Sequence, residues 1–272
     1  GLAAFEGNLW DRYNPVGHMD WLTPIGKCGR RRKLHGQQYC RRCLETDSRP
    51  YFRRYWRLAF NVACERHQIM LDDACRVCGS PVEFHVGDFG KRLLDFECQI
   101  THCATCGSDF RQRYPSSDRL ISASLIDFQT SLNELLRAGY SQNFPGASVY
   151  SHMFFKGFRH LVGLLCSSGR FKRVRDRILL ERGMLGFEVG DDNQKLCFEC
   201  LRVSDRAFLL DMASTLIKNW PDEFVEVCKL SRVSSSYIIR YPNDLPYWLN
   251  SVISLNLDDR DYAPCIQERR SV

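Results

Sequence analysis

The sequence predicts a mainly α-helical protein in which small β elements are confined to one cysteine-rich module. Three observations predict it. Nine of the 14 cysteines crowd between Cys28 and Cys106, largely in pairs two residues apart. Period-two alternation falls inside that stretch, at Val82, Phe84 and Val86 and again at Leu94, Phe96, Cys98 and Ile100. Beyond Arg113, apolar residues recur three and four apart, as on one face of a helix. The chain therefore divides into a lead-in over residues 1–36, a double-metal module over 37–112 and a mostly helical domain over 113–272. At 272 residues it is long enough to bury a core without staples.

The lead-in starts at Gly1 without an initiator Met, a basic n-region or an apolar signal core. This reads as a processed or truncated front end and gives secretion no support. No apolar run approaches the ~20 residues of a membrane span, which excludes a helical transmembrane role. The net charge is only +6, but eleven basic residues fall between Lys27 and Arg57 against Glu45 and Asp47. That segment carries +9, which leaves −3 for the rest. A local positive field in a nearly neutral molecule suits a polyanion, because each neutralised phosphate releases counterions. The alternative is a solvated charged face.

The first candidate site pairs Cys40-Arg41-Arg42-Cys43 with Cys64-Glu65-Arg66-His67 across twenty residues. A two-residue gap lets two thiolates approach one tetrahedral metal from a tight turn, and the donor set is one zinc prefers. Disulfides would need an oxidising compartment and do not favour this spacing. Between the pairs, Phe52, Tyr55, Trp56 and Ala59 predict a helix capped by Asp47 or Ser48 with Pro50 in its first turn. On such a helix Arg53, Arg54 and Arg57 would face away from the aromatic stripe.

The second candidate site joins Cys75 and Cys78 to Cys103 and Cys106 across twenty-four residues, with a Gly directly after each pair. Twin knuckles of this kind make a zinc ribbon, whose strands would come from the alternating segments between them. Cys98 then reads as a core-facing strand residue and His102 as a reserve ligand. Both sites close at four ligands, and no HxE, HExxH, Gly-rich phosphate loop or nucleophile elbow accompanies them. Two structural zinc ions and no catalytic site are expected.

In the last segment, Ile121, Leu125, Phe128, Leu132 and Leu135 predict a long helix with Ser117 as a possible N-cap and Gly139 after its end. A second helix is expected from about Ser151 to Cys166 and a third near Arg170 to Arg182. The third would bury Phe171, Val174 and Ile178 and present Arg170, Arg173 and Arg177 as a second basic face or a solvated one. Ser204 is expected to cap a helix carrying Phe208, Leu209, Met212 and Leu216, and Trp220-Pro221 to begin another with Phe224, Val227 and Cys228. Leu230 to Ile239 could complete a helix-turn-helix with a short last helix. Cys197 and Cys200 form a CxxC with no partner pair; Cys166 and Cys228 could complete a site, or all could be buried thiols.

The run His35-Gly36-Gln37-Gln38-Tyr39-Cys40-Arg41-Arg42-Cys43-Leu44, followed by Pro50-Tyr51-Phe52-Arg53, Tyr55-Trp56-Arg57, Cys64-Glu65-Arg66-His67 and Cys75-Arg76-Val77-Cys78, resembles the TniQ/TnsD family. Arg41 stands where that family often has Pro, which alters turn stiffness but not ligation. The resemblance is strong over about 33–113 and weaker around Leu209–Ala213, Trp220–Phe224 and Leu245–Trp248. It implies a target-site selector of bacterial heteromeric transposons. Such a protein holds target DNA, or a guide-RNA effector complex in CRISPR-associated transposons, and recruits an AAA+ ATPase of the TnsC or TniB type, which brings in the transposase. A cytoplasmic, nucleoid-associated protein without enzymatic activity follows from it, with a homodimer left open. The family's opening helical domain has only about thirty residues to occupy here, so it is expected to be reduced.

Under this reading Cys40, Cys43, Cys64 and His67 hold one zinc and Cys75, Cys78, Cys103 and Cys106 the other. Arg30, Arg31, Arg32, Arg41, Arg42, Arg53, Arg54 and Arg57 are the candidate contacts to nucleic acid or to its complex. The competing class is a zinc-dependent DNA-binding transcription regulator, which the residues alone would serve equally well.

Overall fold

The computed structural model describes residues 1–25, 37–83, 100–113, 119–141, 148–167, 169, 171–183, 197–239 and 245–258. Eight helices and two small antiparallel hairpins are found among them. The cysteine-rich part is built from short pieces. Helix α1 (Arg41–Thr46) starts where the Cys40 sulfur accepts the Cys43 N–H, so a candidate ligand also serves as N-cap. A 3-10 turn follows at Arg54–Arg57, and strands β1 (Ala63–Cys64) and β2 (Ile69–Met70) pair with Cys64 opposite Ile69.

The continuous helix expected across Phe52 to Ala59 is absent. Asp47 has extended backbone, and its carboxylate binds the Arg53 guanidinium at 2.9 Å instead of capping a helix. Arg53 is extended as well, and the helical turn starts only at Arg54. The expected apolar residues are nevertheless turned inward: Trp56 and Ala59 are buried, and Phe52 and Tyr55 pack against the core. Most of the two alternating segments, with Cys98, lies outside the described residues.

The helical part follows its periodicity closely. Helix α2 (Ala123–Ala138) is capped by Ser122, whose hydroxyl accepts the Leu125 N–H, and it ends at Gly139 in the left-handed conformation. The cap expected at Ser117 is outside the described residues. Strands β3 (Tyr140–Ser141) and β4 (Val149–Tyr150) lead into α3 (Ser151–Leu165), which buries Phe154, Phe155, Phe158, Leu161, Val162 and Leu165 completely. Gly157 is what brings the last helix against it. A Cβ there would lie 2.4 Å from the Trp248 ring, so only glycine admits that indole.

Helix α4 (Lys172–Glu181) buries Val174 and Ile178 with the preceding Phe171, as its period requires. Helices α5 (Val203–Lys218) and α6 (Asp222–Leu230) pack on each other, and α5 also lies against α2 and α3. Ser204 does not cap α5. The first N–H, from Val203, goes instead to the carboxylate of Asp73 at 2.6 Å, a residue of the cysteine-rich module. The last helix of the expected helix-turn-helix is the single turn α7 (Ser235–Ile238), packed on α8 (Tyr247–Asn256); a helix-turn-helix is not established.

One hydrophobic core runs through all three segments. Its hub is Trp21 of the lead-in, 1% exposed, stacked on Phe158 with ring centroids 5.4 Å apart and edge-on to Phe60, Phe155 and Phe198. None of the described helices is long and apolar enough to cross a membrane.

Candidate metal centres

Two groups of four donors assemble, with the membership the spacing predicts. Cys40 and Cys43 come from the start of α1, and Cys64 and His67 from the β1–β2 hairpin, where Gln68 takes a positive φ and donates to the Cys64 carbonyl. His67 presents Nδ1, which lies 3.4 Å from the sulfurs of Cys40 and Cys43 and 3.6 Å from that of Cys64; the Cys43 and Cys64 sulfurs are 3.6 Å apart.

Those separations test whether a metal fits. A tetrahedral ion with bonds of about 2.3 Å to sulfur and about 2.05 Å to nitrogen makes S···S edges of about 3.75 Å and S···N edges of about 3.55 Å. The observed edges match, whereas a disulfide would bring sulfurs to about 2.05 Å. The thiols also work against one another: hydrogen bonding from Cys43 and Cys64 pushes the Cys40 thiol up, and the contact with Cys40 draws Cys64 down to about 2. Three thiolates in so small a space need a cation between them, and a dication supplies it.

The second group is made by two copies of one turn, Cys75-Arg76-Val77-Cys78-Gly79-Ser80 and Cys103-Ala104-Thr105-Cys106-Gly107-Ser108. In each, the first Cys N–H donates to the Ser carbonyl at 2.8 or 2.9 Å, and the Gly N–H donates to the first Cys carbonyl at 2.8 Å. Gly79 and Gly107 have φ of 68° and 73°, which a Cβ would strain. Across the group, Cys75 faces Cys106 and Cys78 faces Cys103, both at 3.7 Å between sulfurs, again the tetrahedral edge. The Ser108 hydroxyl sits 3.1 Å from both the Cys75 and Cys106 sulfurs and can donate to a thiolate. His102, the reserve ligand, bonds Thr101 and lies outside the group. Both groups can hold zinc.

The arginines divide differently from the expectation. Arg41 is 3% exposed and lies 3.4 Å from Glu45. Arg57 is half-buried with its Nε enclosed without a partner, and burial lowers its pKa to about 10. Neither offers a free guanidinium to a polyanion: Arg41 is buried at the start of α1, and Arg57 turns toward the core because the expected helix across Phe52 to Ala59 does not form. Arg53 is tied to Asp47 and lies over the rings of Tyr51 and Trp56, both at 4.8 Å. Arg42 and Arg54 are exposed, and Arg54 lies over Phe5 and Tyr55. Arg30, Arg31 and Arg32 are outside the described residues.

Two basic residues that the sequence reasoning passed over join Arg54. Arg137 of α2 also lies over Tyr55, 5.5 Å from its ring centroid, and Arg66 is 63% exposed in the hairpin between two ligands. Arg66 and Arg137, 3.8 Å from Asp47 and Glu65 respectively, line with Arg53, Tyr55 and Glu65 a groove of about 180 Å³ beside the first group. Also unforeseen were Gln129 and Asn133, which fasten α2 to that group. The Gln129 amide accepts from the N–H groups of Val62 and Ala63 and donates to the Ala63 carbonyl, while Asn133 binds Asn61 and Glu65. A buried Gln and Asn a turn apart on an amphipathic helix were the signal available.

A third set of donors, from His18, Cys197 and Glu199, lies apart from these two.

Comparison with known proteins adds one match. The family model for TniQ matches residues 9–71, from the lead-in through the whole first group of donors. No curated protein and no solved structure matches the chain. TniQ domains are associated with target selection in DNA transposition. Over these residues, where the lead-in shares one core with the Cys40–His67 centre, the chain is similar to TniQ.

Proposed function

We propose that the protein is a target-site selector for DNA transposition: an adaptor without catalytic activity that links target DNA, or a guide-RNA effector complex, to an AAA+ ATPase of the TnsC or TniB type. The observation that carries this reading is the TniQ match over residues 9–71, which spans a four-donor centre of structural type. Closed metal sites supply folding energy and rigid turns and leave no coordination position for chemistry. The two ions are zinc, held by Cys40, Cys43, Cys64 and His67 and by Cys75, Cys78, Cys103 and Cys106.

The polyanion meets Arg54, Arg66 and Arg137 around Tyr55, with Arg42 as a further exposed contact. Replacing Arg54, Arg66 and Arg137 together by Ala should weaken binding to duplex DNA, or to the guide-RNA complex, and lower the salt slope by about one for each phosphate no longer neutralised. An unchanged slope in the folded variant would remove this surface from the interface. The adaptor role is tested by pull-down with the ATPase and by an insertion assay. Binding to both partners and loss of targeted insertion without this protein are expected; full-frequency targeted insertion in its absence overturns the reading.

A further inference from the structure

We infer that His18, Cys197 and Cys200 form a third zinc site, which ties the lead-in to the segment before α5. Cys197 and Cys200 bracket a 3-10 turn at Phe198–Cys200, and their sulfurs lie 3.7 Å apart, the same edge as in the second centre. His18 reaches Cys197 from the other end of the chain, with Nε2 3.0 Å from its sulfur, while the Cys200 sulfur lies outside the close cluster of His18, Cys197 and Glu199, so His18 or Cys200 must turn to share an ion. The 3.0 Å separation is about half an ångström short of a zinc S···N edge. The adjustment falls on a side chain that is 51% exposed and whose Nε2 also lies 3.7 Å from Glu199 Oε2.

Glu199 sits among these donors but is already engaged. Fully buried, it accepts two hydrogen bonds from Arg159 at 2.6 and 2.7 Å and one from the Trp21 N–H at 2.8 Å, and its Oε2 lies 2.8 Å from the Cys197 sulfur. It therefore acts as a positioning residue. It fixes the turn that carries both thiols and orients Trp21, three residues from His18, while Arg159 balances its charge. Among the described residues the remaining donors are two thiols and one imidazole, a set that suits zinc and leaves a fourth position outside these three. His18 and Cys200 also line a cavity of about 610 Å³ with Tyr13, Asn14 and Met19, which gives that position room.

The test is metal counting on the 272-residue chain purified under reducing conditions, with His18→Ala and Cys197→Ser/Cys200→Ser as variants. The His18 change lies on the surface and leaves the fold intact, so it stands even if the double variant misfolds. Each variant should bind one zinc fewer than the parent chain. In the cobalt-substituted protein, the double variant should lose the sulfur-to-cobalt charge-transfer intensity of two thiolates. Because the readout is a difference of one equivalent, it is independent of the occupancy of the other two centres. Equal metal content in parent and His18→Ala proteins, or a Cys197–Cys200 disulfide in the reduced-purified chain, would overturn the assignment.

Discussion

The first and second metal centres have nearly the same donors and opposite relations to the rest of the molecule. Cys40, Cys43 and Cys64 are all buried, and the hairpin that carries Cys64 is clasped by Gln129 and Asn133 of α2. In the second centre Cys75 and Cys103 are buried as well, but Cys106 is exposed and Cys78 half-buried, and much of its order comes from within, through two copies of one turn. One centre lies inside the core and the other at its edge. A tetrahedral donor set thus says little about what its metal stabilises; the surroundings of the donors decide that.

The sharpest way to break the comparison is to remove one ligand from each centre. Cys64→Ser should cost most of an apparent binding free energy on the order of 10 kcal/mol, comparable to the whole stability of a domain. Loss of the cooperative thermal transition is expected by calorimetry. Cys106→Ser should also release one zinc, but hydrogen exchange should rise only around 74–83 and 100–111 while the main transition stays. If both variants unfold alike, the edge position of the second centre does not limit its reach.

Smaller changes sharpen the contrast. Gln129→Ala leaves the buried N–H groups of Val62 and Ala63 and the Ala63 carbonyl without this partner, which should destabilise by about 2–4 kcal/mol in denaturant unfolding. Gly157→Ala drives a methyl into Trp248 and should cost about 1–3 kcal/mol, with the near-ultraviolet signal of that indole altered. Asp73→Ala removes the cap of α5 and should cost about 1 kcal/mol. A cost near zero would mean that Ser204 or solvent takes over the cap.

Both donor sets were legible in the sequence because a two-residue gap is a local device, and local geometry survives whatever fold surrounds it. The long helices were legible for the same reason: the stripe of α2 and the glycine behind it are read within sixteen residues. What escaped was set by distant partners. Asp47 and Ser48 look like caps, but Arg53 claims the Asp47 carboxylate, so a stretch with helical periodicity becomes an extended strap and a single 3-10 turn. That change also turns Arg57 inward, which no charge count could indicate. His18 lies 179 residues from Cys197, and Asp73 lies 130 from the helix it caps. Such pairings have no signature in spacing.

The Asp73 cap has a consequence for the order of events when the chain first folds. Closing a loop of 130 residues is entropically slow beside winding a local turn, so α5 gains its cap only after the segment between the two centres has set. Asp73 stands two residues before Cys75, and its neighbour Asp72 exchanges two backbone hydrogen bonds with Tyr39, just ahead of Cys40. If zinc fills the first centre, its delivery would then precede completion of the helical half. Chains starved of zinc would carry C-terminal helices that are formed but not docked and open to proteolysis, and the amount of folded protein would track the supply of metal.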